Sequence, residues 1–350
     1  MSDKTVRAHF HSQADACDRL GSPFTARLCR LLGERLEFST KTGSKVLGWS
    51  HHGDADPRAD ALALRLAGGL HALVLQSEDA ELAGVYPPNE IDDETLIDAA
   101  LDAILRHDAM LATFIDLPPQ TNEVARSGML LPGFLTIARE TGLPLHLAEI
   151  GSSAGLNLNF DRFRYDYARA PWGDPASPVQ LAPEVRGDAP PLDGDLQIAV
   201  RAGCDIAPIS VADDAQRLRL RSYIWADQAQ RIARIEAAIG LAIEARTRVE
   251  QEDAADFVER QLASRKPRTA FVLFHSIMWQ YMPRATRHAI EAAMREAGEQ
   301  ASNAAPVAHL RMEPLSGDAS HATLILTMWP GETRHIAKCD FHGRWIEWTA

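Results

Sequence analysis

Short apolar segments alternate with helical segments after residue 143, and this alternation constrains the fold more than any other feature of the sequence. The five apolar segments of strand length are LPLHLAEI, LQIAVRAG, TRVEQED, TAFVLFHS and VAHLRMEP. Alternation of this kind predicts a mostly parallel sheet with helices on both of its faces. Two further segments, ATLILTMWP and TRHIAKCDF, lie close together around Pro330-Gly331, so we expect them to form a C-terminal antiparallel hairpin.

The first 140 residues have a helical pattern instead. The segments FTARLCRLLGERL, ADALALRLAGGLHALVLQ and DETLIDAALDAILRHDAMLATFI place apolar residues at helical spacing. Ser22, which precedes a proline, and Asp92 are typical of helix starts. We therefore predict an N-terminal helical domain over residues 1–140, followed by an α/β domain over residues 141–350. Residues 160–195 are rich in Pro, Gly and Asp and are predicted to be an ordered insertion or lid in the second domain.

The composition limits the classes of partner. The 350 residues carry a net charge of −12 and contain no Lys/Arg-rich block, so we expect no nucleic-acid partner. The four cysteines form no C-x-x-C pair, which favours reduced thiols in a cytoplasm. No segment approaches the roughly 18 apolar residues of a membrane span, and the first residues lack an apolar leader. The sequence therefore predicts a cytoplasmic protein with a small-molecule ligand and no membrane contact, and it leaves the oligomeric state undetermined.

The histidine spacing does not indicate a metal site. No H-E-x-x-H or comparable pattern of ligands is present. The pairs His9/His11 and His51/His52 are weak signals, so we expect no bound metal.

The segment LAEIGSSAGLNL, residues 147–158, fits two incompatible templates. Counted from Gly151, it has the G-x-S-x-G pattern of a hydrolase nucleophile elbow, with Ser153 as the nucleophile. Counted from Glu149, it differs at one position, Ser153 in place of Gly, from the E-x-G-x-G-x-G loop of Rossmann-like methyltransferases, which bind S-adenosylmethionine. The two templates give Ser153 opposite roles, since the second needs only a small residue there.

The hydrolase interpretation has little support elsewhere in the chain. An α/β-hydrolase places its oxyanion loop after an earlier strand, whereas the sequence upstream of Gly151 is helical. Asp205 with His275 or His335 would complete a triad in the required order, but 13 histidines make such matches easy to find. The cofactor interpretation explains more, because glycines and small residues let a ligand approach the backbone and a helix N-terminus. The predicted cofactor contacts in this loop are Gly151, Ser152, Ser153 and Gly155. A tight turn without any ligand is the third interpretation.

Several longer segments resemble a bacterial family of uncharacterised function. They are QTNEVARSG, LAEIGSSAGLNLNFDRFRYDY, VRAGCDIAPI, IWADQAQR and FHSIMWQYMP, and the resemblance covers nearly the whole chain. It implies a fold related to the methyltransferases and brings no established reaction or catalytic residues. The parallel strands closed by a terminal hairpin are also similar to the layout of a Rossmann-like methyltransferase.

Acidic residues after the first three strand segments are the candidate cofactor ligands. Glu149 lies where such methyltransferases use an acid near the methionine end of the cofactor, although a salt-bridged or capping Glu would fit as well. Asp205 is placed to accept hydrogen bonds from ribose hydroxyls or to cap a loop. Asp253 and Ala254 resemble the turn that flanks adenine, and Asp253 also fits a plain helix N-cap. Asn157 belongs to the same neighbourhood.

The segment FHSIMWQYMP follows the fourth strand segment, where parallel sheets place substrate and catalytic groups. His275 is the candidate general base because imidazole titrates near neutral pH, and Tyr281 is the second catalytic candidate. Trp279 is suited to stack on a flat substrate or on adenine, with Gln280 beside it. A buried, hydrogen-bonded His275 among core aromatics is the alternative.

The segment TNEVARSG begins the helix that precedes the first strand. A helix of about 20 residues, roughly 30 Å long, would return its start to the carboxyl end of that strand. Asn122 and Glu123 are therefore predicted to cover the ligand, with Arg126 available for an anionic group and Asp161 nearby. Plain capping by Thr121 is the simpler alternative.

The leading functional prediction is S-adenosylmethionine-dependent methyl transfer to an unknown, small acceptor. Catalysis would come mainly from positioning the acceptor, with at most one base. A non-catalytic ligand-binding or regulatory protein on the same fold is the second prediction, because a fold does not determine a function. A serine hydrolase that uses Ser153 is the third.

Overall fold

A computed structural model describes residues 3–49, 55–168, 170–317 and 319–350. It is a mixed α/β structure with a large, mostly parallel sheet and many helices. Contacts divide the chain into two units, which are Met1–Thr121 with Asp213–Ala233, and Asn122–Ala212 with Arg234–Ala350. Within the described residues, no helix combines the length and the apolar character that crossing a bilayer requires.

The first unit consists mainly of helices. Numbered along the whole chain, its helices are α1 Lys4–Arg19, α2 Pro23–Arg35, α3 Lys41–Leu47, α4 Leu62–Leu75, α5 Ala80–Gly84, α6 Asp93–Arg106, α7 Asp108–Phe114 and α9 Asp214–Ser222. The two predicted helix starts are confirmed. Ser22 occupies the N-cap position of α2, and the Asp92 carboxylate accepts a hydrogen bond from the Thr95 N–H at 2.8 Å at the start of α6. The apolar faces of these helices form one buried core.

The second unit contains the sheet. Its helices are α8 Ser127–Thr141, most of α10 Ala229–Glu244, α11 Ala254–Ala263 and α12 Arg284–Glu299. Its strands are β1 Leu145–Ile150, β2 Arg164–Tyr167, β3 Ala170–Trp172, β4 Gln180–Leu181, β5 Glu184–Arg186, β6 Ile198–Asp205, β7 Glu250–Gln251, β8 Ala270–Ser276, β9 Val307–Glu313, β10 Ala322–Trp329, β11 Thr333–Cys339 and β12 Trp345–Trp348. All five strands expected in the parallel part are present.

The strands of the main sheet lie in the order β5-β12-β11-β10-β9-β8-β1-β6-β7. Five neighbouring strands, β7, β6, β1, β8 and β9, are parallel to one another. β10 and β11 form the predicted antiparallel hairpin, and β10 also pairs antiparallel with β9. The strands β6 and β7 lie on one side of β1, whereas β8 and β9 lie on its other side. Chain order therefore reverses between β1 and β8.

Residues 160–195 are ordered where the structure describes them, and they contain four short strands. β2, β3 and β4 form a separate three-stranded sheet. β5 instead pairs with β12 and extends the edge of the main sheet. The sequence pattern did not predict β12 or this pairing, because strands of three and four residues leave too short a pattern to detect.

Helices cover both faces of the central strands. On one face, Ala148 and Ile150 of β1 belong to the core formed with α11 and α12. On the other face, Phe134 of α8 packs edge-on against Phe274 of β8, with ring centroids 5.0 Å apart. Glu149 is paired with Phe274 in the register of the parallel strands β1 and β8, so their side chains point to the same face of the sheet. Glu149 is therefore on the face that α8 covers.

The unit boundary follows Thr121, whereas the sequence prediction placed it near residue 140. Every residue of α8 from Ser127 to Ala138 is buried. A helix that is buried on all sides belongs to a core, and α8 packs on the sheet rather than among the N-terminal helices. α9 belongs to the first unit although about 90 residues separate it in sequence from the rest of that unit.

Candidate functional site

The candidate site lies at the carboxyl ends of β1, β6 and β8. Chain order reverses between β1 and β8 at this edge, and in open parallel sheets ligands bind in the crevice at such a reversal. The loop of residues 151–155 follows β1 here and leads into a 3₁₀ segment, Leu156–Arg162.

Three residues of this loop have left-handed backbone conformations. The φ angles are +66° at Gly151, +54° at Ser153 and +70° at Gly155. A Cβ atom on Gly155 would lie 2.8 Å from Cγ2 of Val249, so the loop also needs glycine there for close packing. The backbone of Ser153 is strained in this left-handed conformation, whereas glycine, the residue at the same position of the methyltransferase template, adopts it without strain.

Neighbouring groups already bind most of the loop N–H groups. Asp205 Oδ2 accepts from the Ser153 N–H at 2.9 Å, and Asn122 Oδ1 accepts from the Leu156 N–H at 2.9 Å. The Ser152 N–H donates to the Cys204 carbonyl at 3.0 Å. Asp205 thus has the loop-capping position that was one of its two predicted roles, and the N–H groups of Ser153 and Leu156 become available to a ligand only when the side chains of Asp205 and Asn122 move.

Met278 covers the first glycine of the loop. A Cβ atom on Gly151 would lie 2.8 Å from Cε of Met278, so the methionine occupies the space that a ligand touching this glycine would need. The backbone N–H of Met278 donates to Glu313 Oε1 at 3.1 Å, which holds the methionine in place. A ligand that reaches Gly151 must displace this side chain.

Glu149 is a buried carboxyl group at the same edge. Its side chain is 3% exposed, and Oε2 has no hydrogen-bond partner among the described residues. Burial raises the pKa of Glu149 to about 8, with a smaller contribution from the charge of Asp205, while Ser152 and Arg126 act in the opposite direction. The group is therefore mostly protonated at neutral pH, and Oε2 is enclosed by protein atoms, so a ligand reaches it only if neighbouring side chains move.

Asn122 and Glu123 lie at the loop. Besides the bond from Asn122 to Leu156, the Asn157 amide donates to the Glu123 carbonyl at 3.3 Å. The Glu123 carboxylate caps the 3₁₀ turn before α8 by accepting from the Ala125 N–H at 3.1 Å. The cap is thus Glu123 and not Thr121.

Two basic side chains approach Glu123. Arg234 Nη2 lies 3.8 Å from Glu123 Oε1, and His342 Nδ1 lies 3.9 Å from Oε2. Glu123 is 5% exposed, so this charge is buried with partial compensation. The start of the α8 segment is therefore anchored on the loop through both backbone and side-chain contacts.

The remaining polar candidates have structural contacts. Arg126 donates to the Ser276 carbonyl at 3.3 Å and to the Phe341 carbonyl at 3.0 Å. Asp161 forms a two-pronged ion pair with Arg201, with both N–O distances at 2.6 Å. These contacts hold the strands and the 3₁₀ segment together.

Asp253 is the N-cap of α11. Its carboxylate accepts from the Ala255 N–H at 2.8 Å, and Ala254 is the first residue of the helix. Both follow β7, the edge strand next to β6, on the side where the parallel strands end. The capping role is the simpler of the two that the sequence allowed.

His275 lies on the opposite face of the sheet from Glu149, because side chains alternate along β8 and Glu149 is opposite Phe274. The ring is fully buried. Its Nδ1 donates to Glu313 Oε1 at 2.7 Å, and its Nε2 lies 3.1 Å from Nε2 of His309. Burial lowers the pKa of His309 well below its usual range, which keeps that ring neutral. Both nitrogens of His275 are therefore engaged, and among the described residues neither is hydrogen-bonded to the loop.

The aromatic candidates do not converge on Glu149. Trp279 stacks on His275, with ring centroids 4.9 Å apart and planes 10° apart. Gln280 is exposed, and Tyr281 is 77% exposed. The segment after β8 therefore supplies a covering methionine rather than a base.

Glu313 and His309 were not identified from the sequence, although Glu313 carried a signal. It ends the apolar segment of β9 and is therefore an acid at the same sheet edge as Glu149 and Asp205. Met278 carried no such signal, because an apolar residue in a loop is ordinary.

The described residues contain no group of three or more His, Cys, Asp or Glu side chains arranged to hold a metal ion. His51 and His52 lie outside the described residues. His9 is 6% exposed, and its Nε2 accepts from the Ala63 N–H at 3.2 Å.

The Ser153 hydroxyl gives little support to a hydrolase. It is buried without a hydrogen-bond partner among the described residues, and His275, the candidate base, is bonded to Glu313 and His309 instead. A nucleophilic serine needs a base within hydrogen-bond reach.

We expect Ser153→Gly to fold with an unchanged or slightly higher melting temperature. Relief of the left-handed strain, about 1 kcal/mol, offsets the greater freedom of glycine in the unfolded chain, about 0.5–1 kcal/mol. A fluorophosphonate probe should leave the wild-type protein unlabelled. Ser153→Ala is the control, since it removes the hydroxyl and keeps the strain. Stoichiometric labelling that both variants lose would establish the serine as a nucleophile.

Comparison with known proteins identifies a family. The model of a family described as an uncharacterised protein conserved in bacteria, DUF2332, matches residues 7–348, so the chain belongs to that family. No curated protein and no solved structure matches the chain.

Proposed function

We propose that this member of the family binds S-adenosylmethionine at the carboxyl edge of β1 and β6 and transfers its methyl group to a small acceptor. The observation that carries the proposal is Glu149, a buried carboxyl with an unpaired oxygen beside a loop with three left-handed residues. When bound, S-adenosylmethionine would supply an electrophilic methyl group.

The strand order supports this location. The parallel strands lie as β7-β6-β1-β8-β9, which in chain order of the parallel strands is 3-2-1-4-5. Doubly wound dinucleotide-binding sheets have this order in their first five strands and bind the ligand beside the first one. The antiparallel β10 that follows is the feature shared with the expected methyltransferase layout.

Glu149 has the chemistry to hold the amino-acid end of this cofactor. An ammonium group near Oε2 would favour the charged carboxylate and lower the pKa of Glu149 from about 8. Binding near pH 7 would then release a proton from Glu149. Asp205, one loop away, offers a second carboxylate for ribose hydroxyls if it exchanges its bond to the Ser153 N–H.

The second candidate is a ligand-binding protein without catalysis. It is favoured by the position of His275, which lies on the other face of the sheet with both nitrogens engaged. Within the part of the chain that the structure describes, no histidine accepts from the N–H groups of Ser152, Ser153 or Leu156. Methyl transfer at this site would therefore depend on positioning alone.

The test is calorimetry with S-adenosylmethionine and S-adenosylhomocysteine, in two pH 7 buffers of different ionisation enthalpy. We expect saturable binding with release of a proton in the wild type. Glu149→Gln should abolish the proton release and weaken binding by about 1–3 kcal/mol. The matched control is Glu259→Gln, at an exposed position of α11. Absence of binding by the folded wild-type protein would refute both the cofactor and the methyl transfer.

Production of S-adenosylhomocysteine separates the two candidates. Protein that binds the cofactor is incubated with labelled S-adenosylmethionine and a fractionated bacterial small-molecule extract. Production of S-adenosylhomocysteine in any fraction supports the methyltransferase. Tight binding of the cofactor without turnover in any of the fractions supports the ligand-binding protein.

The segment before α8 should contribute to binding. Asn122→Ala leaves the Leu156 N–H without its acceptor and loosens the loop, so we expect S-adenosylhomocysteine to bind about tenfold more weakly. Glu123→Gln should weaken binding less, because the amide oxygen still caps the Ala125 N–H. Titration calorimetry and thermal melting of both variants give the measurement. Wild-type affinity in both would show that this segment does not cover the ligand.

A further inference from the structure

The segment that follows β8 lies against the loop of residues 151–155. Residues 277–282, which we call the strap, contain a 3₁₀ turn, Trp279–Tyr281, and lead to Pro283, the N-cap residue of α12. The Met278 side chain packs on Gly151, where an added Cβ atom would lie 2.8 Å from Cε and 2.9 Å from Cγ of the methionine. In this position the strap denies a ligand access to the first glycine of the loop.

The strap begins with a strained residue. Ile277 has a φ angle of +52°, and it is the one β-branched residue among the described non-glycine residues with a positive φ. A β-branched side chain is a clear outlier in the left-handed region, because its Cβ crowds the following carbonyl oxygen. Strain of this kind persists only where surrounding contacts hold the backbone, and it is concentrated at ligand clamps and switch segments.

Hydrogen bonds hold the chain on both sides of this residue. The Ile277 N–H donates to the Met312 carbonyl at 3.0 Å, which continues the pairing of β8 with β9. Beyond it, Glu313 Oε1 accepts from the Met278 N–H at 3.1 Å and from the Trp279 N–H at 3.3 Å. The sheet therefore fixes the chain up to Ile277, and a single carboxylate oxygen holds the backbone of the strap after it.

The outer part of the strap projects into solvent. The Trp279 ring is stacked on His275, but Gln280 is exposed and Tyr281 is 77% exposed. The Tyr281 N–H donates to the Met278 carbonyl at 3.0 Å, so the 3₁₀ turn closes its own hydrogen bond. The turn can therefore move as one unit about Ile277 without any change in the sheet.

Two opposing contributions set the position of the strap. The packing of Met278 on Gly151 and the bonds to Glu313 favour the closed position that the structure shows. Relaxation of Ile277 to an ordinary backbone conformation favours an open one. A ligand that binds only to the open position shifts such a balance toward it.

We propose that the strap is a gate over the loop, with Ile277 as its hinge, and that opening moves Met278 off Gly151 while Ile277 relaxes. The inference rests on the function proposed above, since the gate regulates access to that site. The apparent affinity of a ligand that needs the open strap is its intrinsic affinity multiplied by the open fraction.

Amide hydrogen exchange tests the gate without any ligand. The Met278 and Trp279 N–H groups are bonded to Glu313 in the closed position, so their exchange measures the open fraction. Ile277→Gly is compared with Ile277→Ala, because both variants lose the packing of the isoleucine and glycine alone relieves the strain. Exchange should be about three- to tenfold slower in the glycine variant. The N–H of Met294, inside α12, serves as the reference.

Calorimetry with S-adenosylhomocysteine tests what the gate controls. Ile277→Gly should bind it more weakly than Ile277→Ala by the same factor by which exchange is slower, because both quantities follow the open fraction. Met278→Ala removes the side chain that covers Gly151 and should bind about tenfold more tightly than the wild type. Met282→Ala, which removes a second methionine of the strap from the same core, should bind like the wild type.

The outcomes separate the gate from the cofactor. If the wild-type protein binds S-adenosylhomocysteine, the gate is overturned by equal exchange in Ile277→Gly and Ile277→Ala, or by equal affinities of Met278→Ala and Met282→Ala. If neither the wild type nor any variant binds it, the cofactor is refuted. The gate then stands on slower exchange in Ile277→Gly than in Ile277→Ala, and equal exchange overturns it as well.

Discussion

Glu149→Gln should make the protein more stable than the wild type above pH 8, by about 5 kcal/mol at most. Burial raises the pKa of Glu149 from 4.5 to about 8 in the folded chain. Below pH 4.5 the carboxyl is protonated in both the folded and the unfolded state. Between pH 4.5 and 8 the unfolded chain loses this proton while the folded chain retains it, so the free energy of unfolding falls as pH rises. The neutral amide of glutamine has no such dependence.

The measurement is urea unfolding of wild type and Glu149→Gln at several pH values from 5 to 9. We expect the difference in free energy of unfolding to be small near pH 5 and to grow up to about pH 8. Glu259→Gln, at an exposed position, should show no such trend. A difference between wild type and Glu149→Gln that stays constant with pH would mean that this carboxyl is hydrated in the folded protein.

Glu313→Ala should lower the free energy of unfolding by about 3–5 kcal/mol. The Glu313 carboxylate accepts from His275 Nδ1 at 2.7 Å, from the Met278 N–H at 3.1 Å and from the Trp279 N–H at 3.3 Å. Alanine leaves these three donors without their acceptor in a site that water does not reach easily. The loss should also release Met278 from its position over Gly151.

Urea unfolding of Glu313→Ala and Glu313→Gln gives the test, with Glu296→Ala at an exposed position of α12 as control. Glutamine keeps an oxygen acceptor and should cost much less than alanine. Near-wild-type stability of Glu313→Ala would show that the bonds of His275 and of the segment after β8 contribute little to the fold.

Local patterns in the sequence determined much of the secondary structure. The apolar segments at β1, β8, β9 and β10 were predictable because buried strands of six to eight residues leave a continuous apolar pattern. The caps at Ser22 and Asp92 were predictable because capping chemistry involves residues only a few positions apart. The left-handed loop after β1 was also visible, since glycine is the residue that adopts such angles without strain.

Some candidate residues could be placed near one another for the same local reason. The start of the α8 segment reaches the loop because a helix and the strand that follows it run in opposite directions over similar lengths. Asp205 lies beside Ser153 because β1 and β6 are neighbouring parallel strands that end at one edge.

Only the tertiary structure decided which of these groups are available for chemistry. His275 and Glu149 both lie at the ends of neighbouring strands, yet the alternation of side chains puts them on opposite faces. Asp205 and Asn122 bind the loop N–H groups, and Met278 covers Gly151, through contacts between residues 34 to 127 positions apart in the sequence.

The same distinction explains the unit boundary and the partner of His275. α9 joins helices that precede it by about 90 residues or more, and Glu313 reaches His275 across 38 positions. Periodicity and capping describe interactions within about a dozen residues of sequence. Burial and hydrogen-bond partners depend on which distant segments pack together, so the sequence by itself determined the elements of this protein, and their packing decided which side chains are buried, paired or open to a ligand.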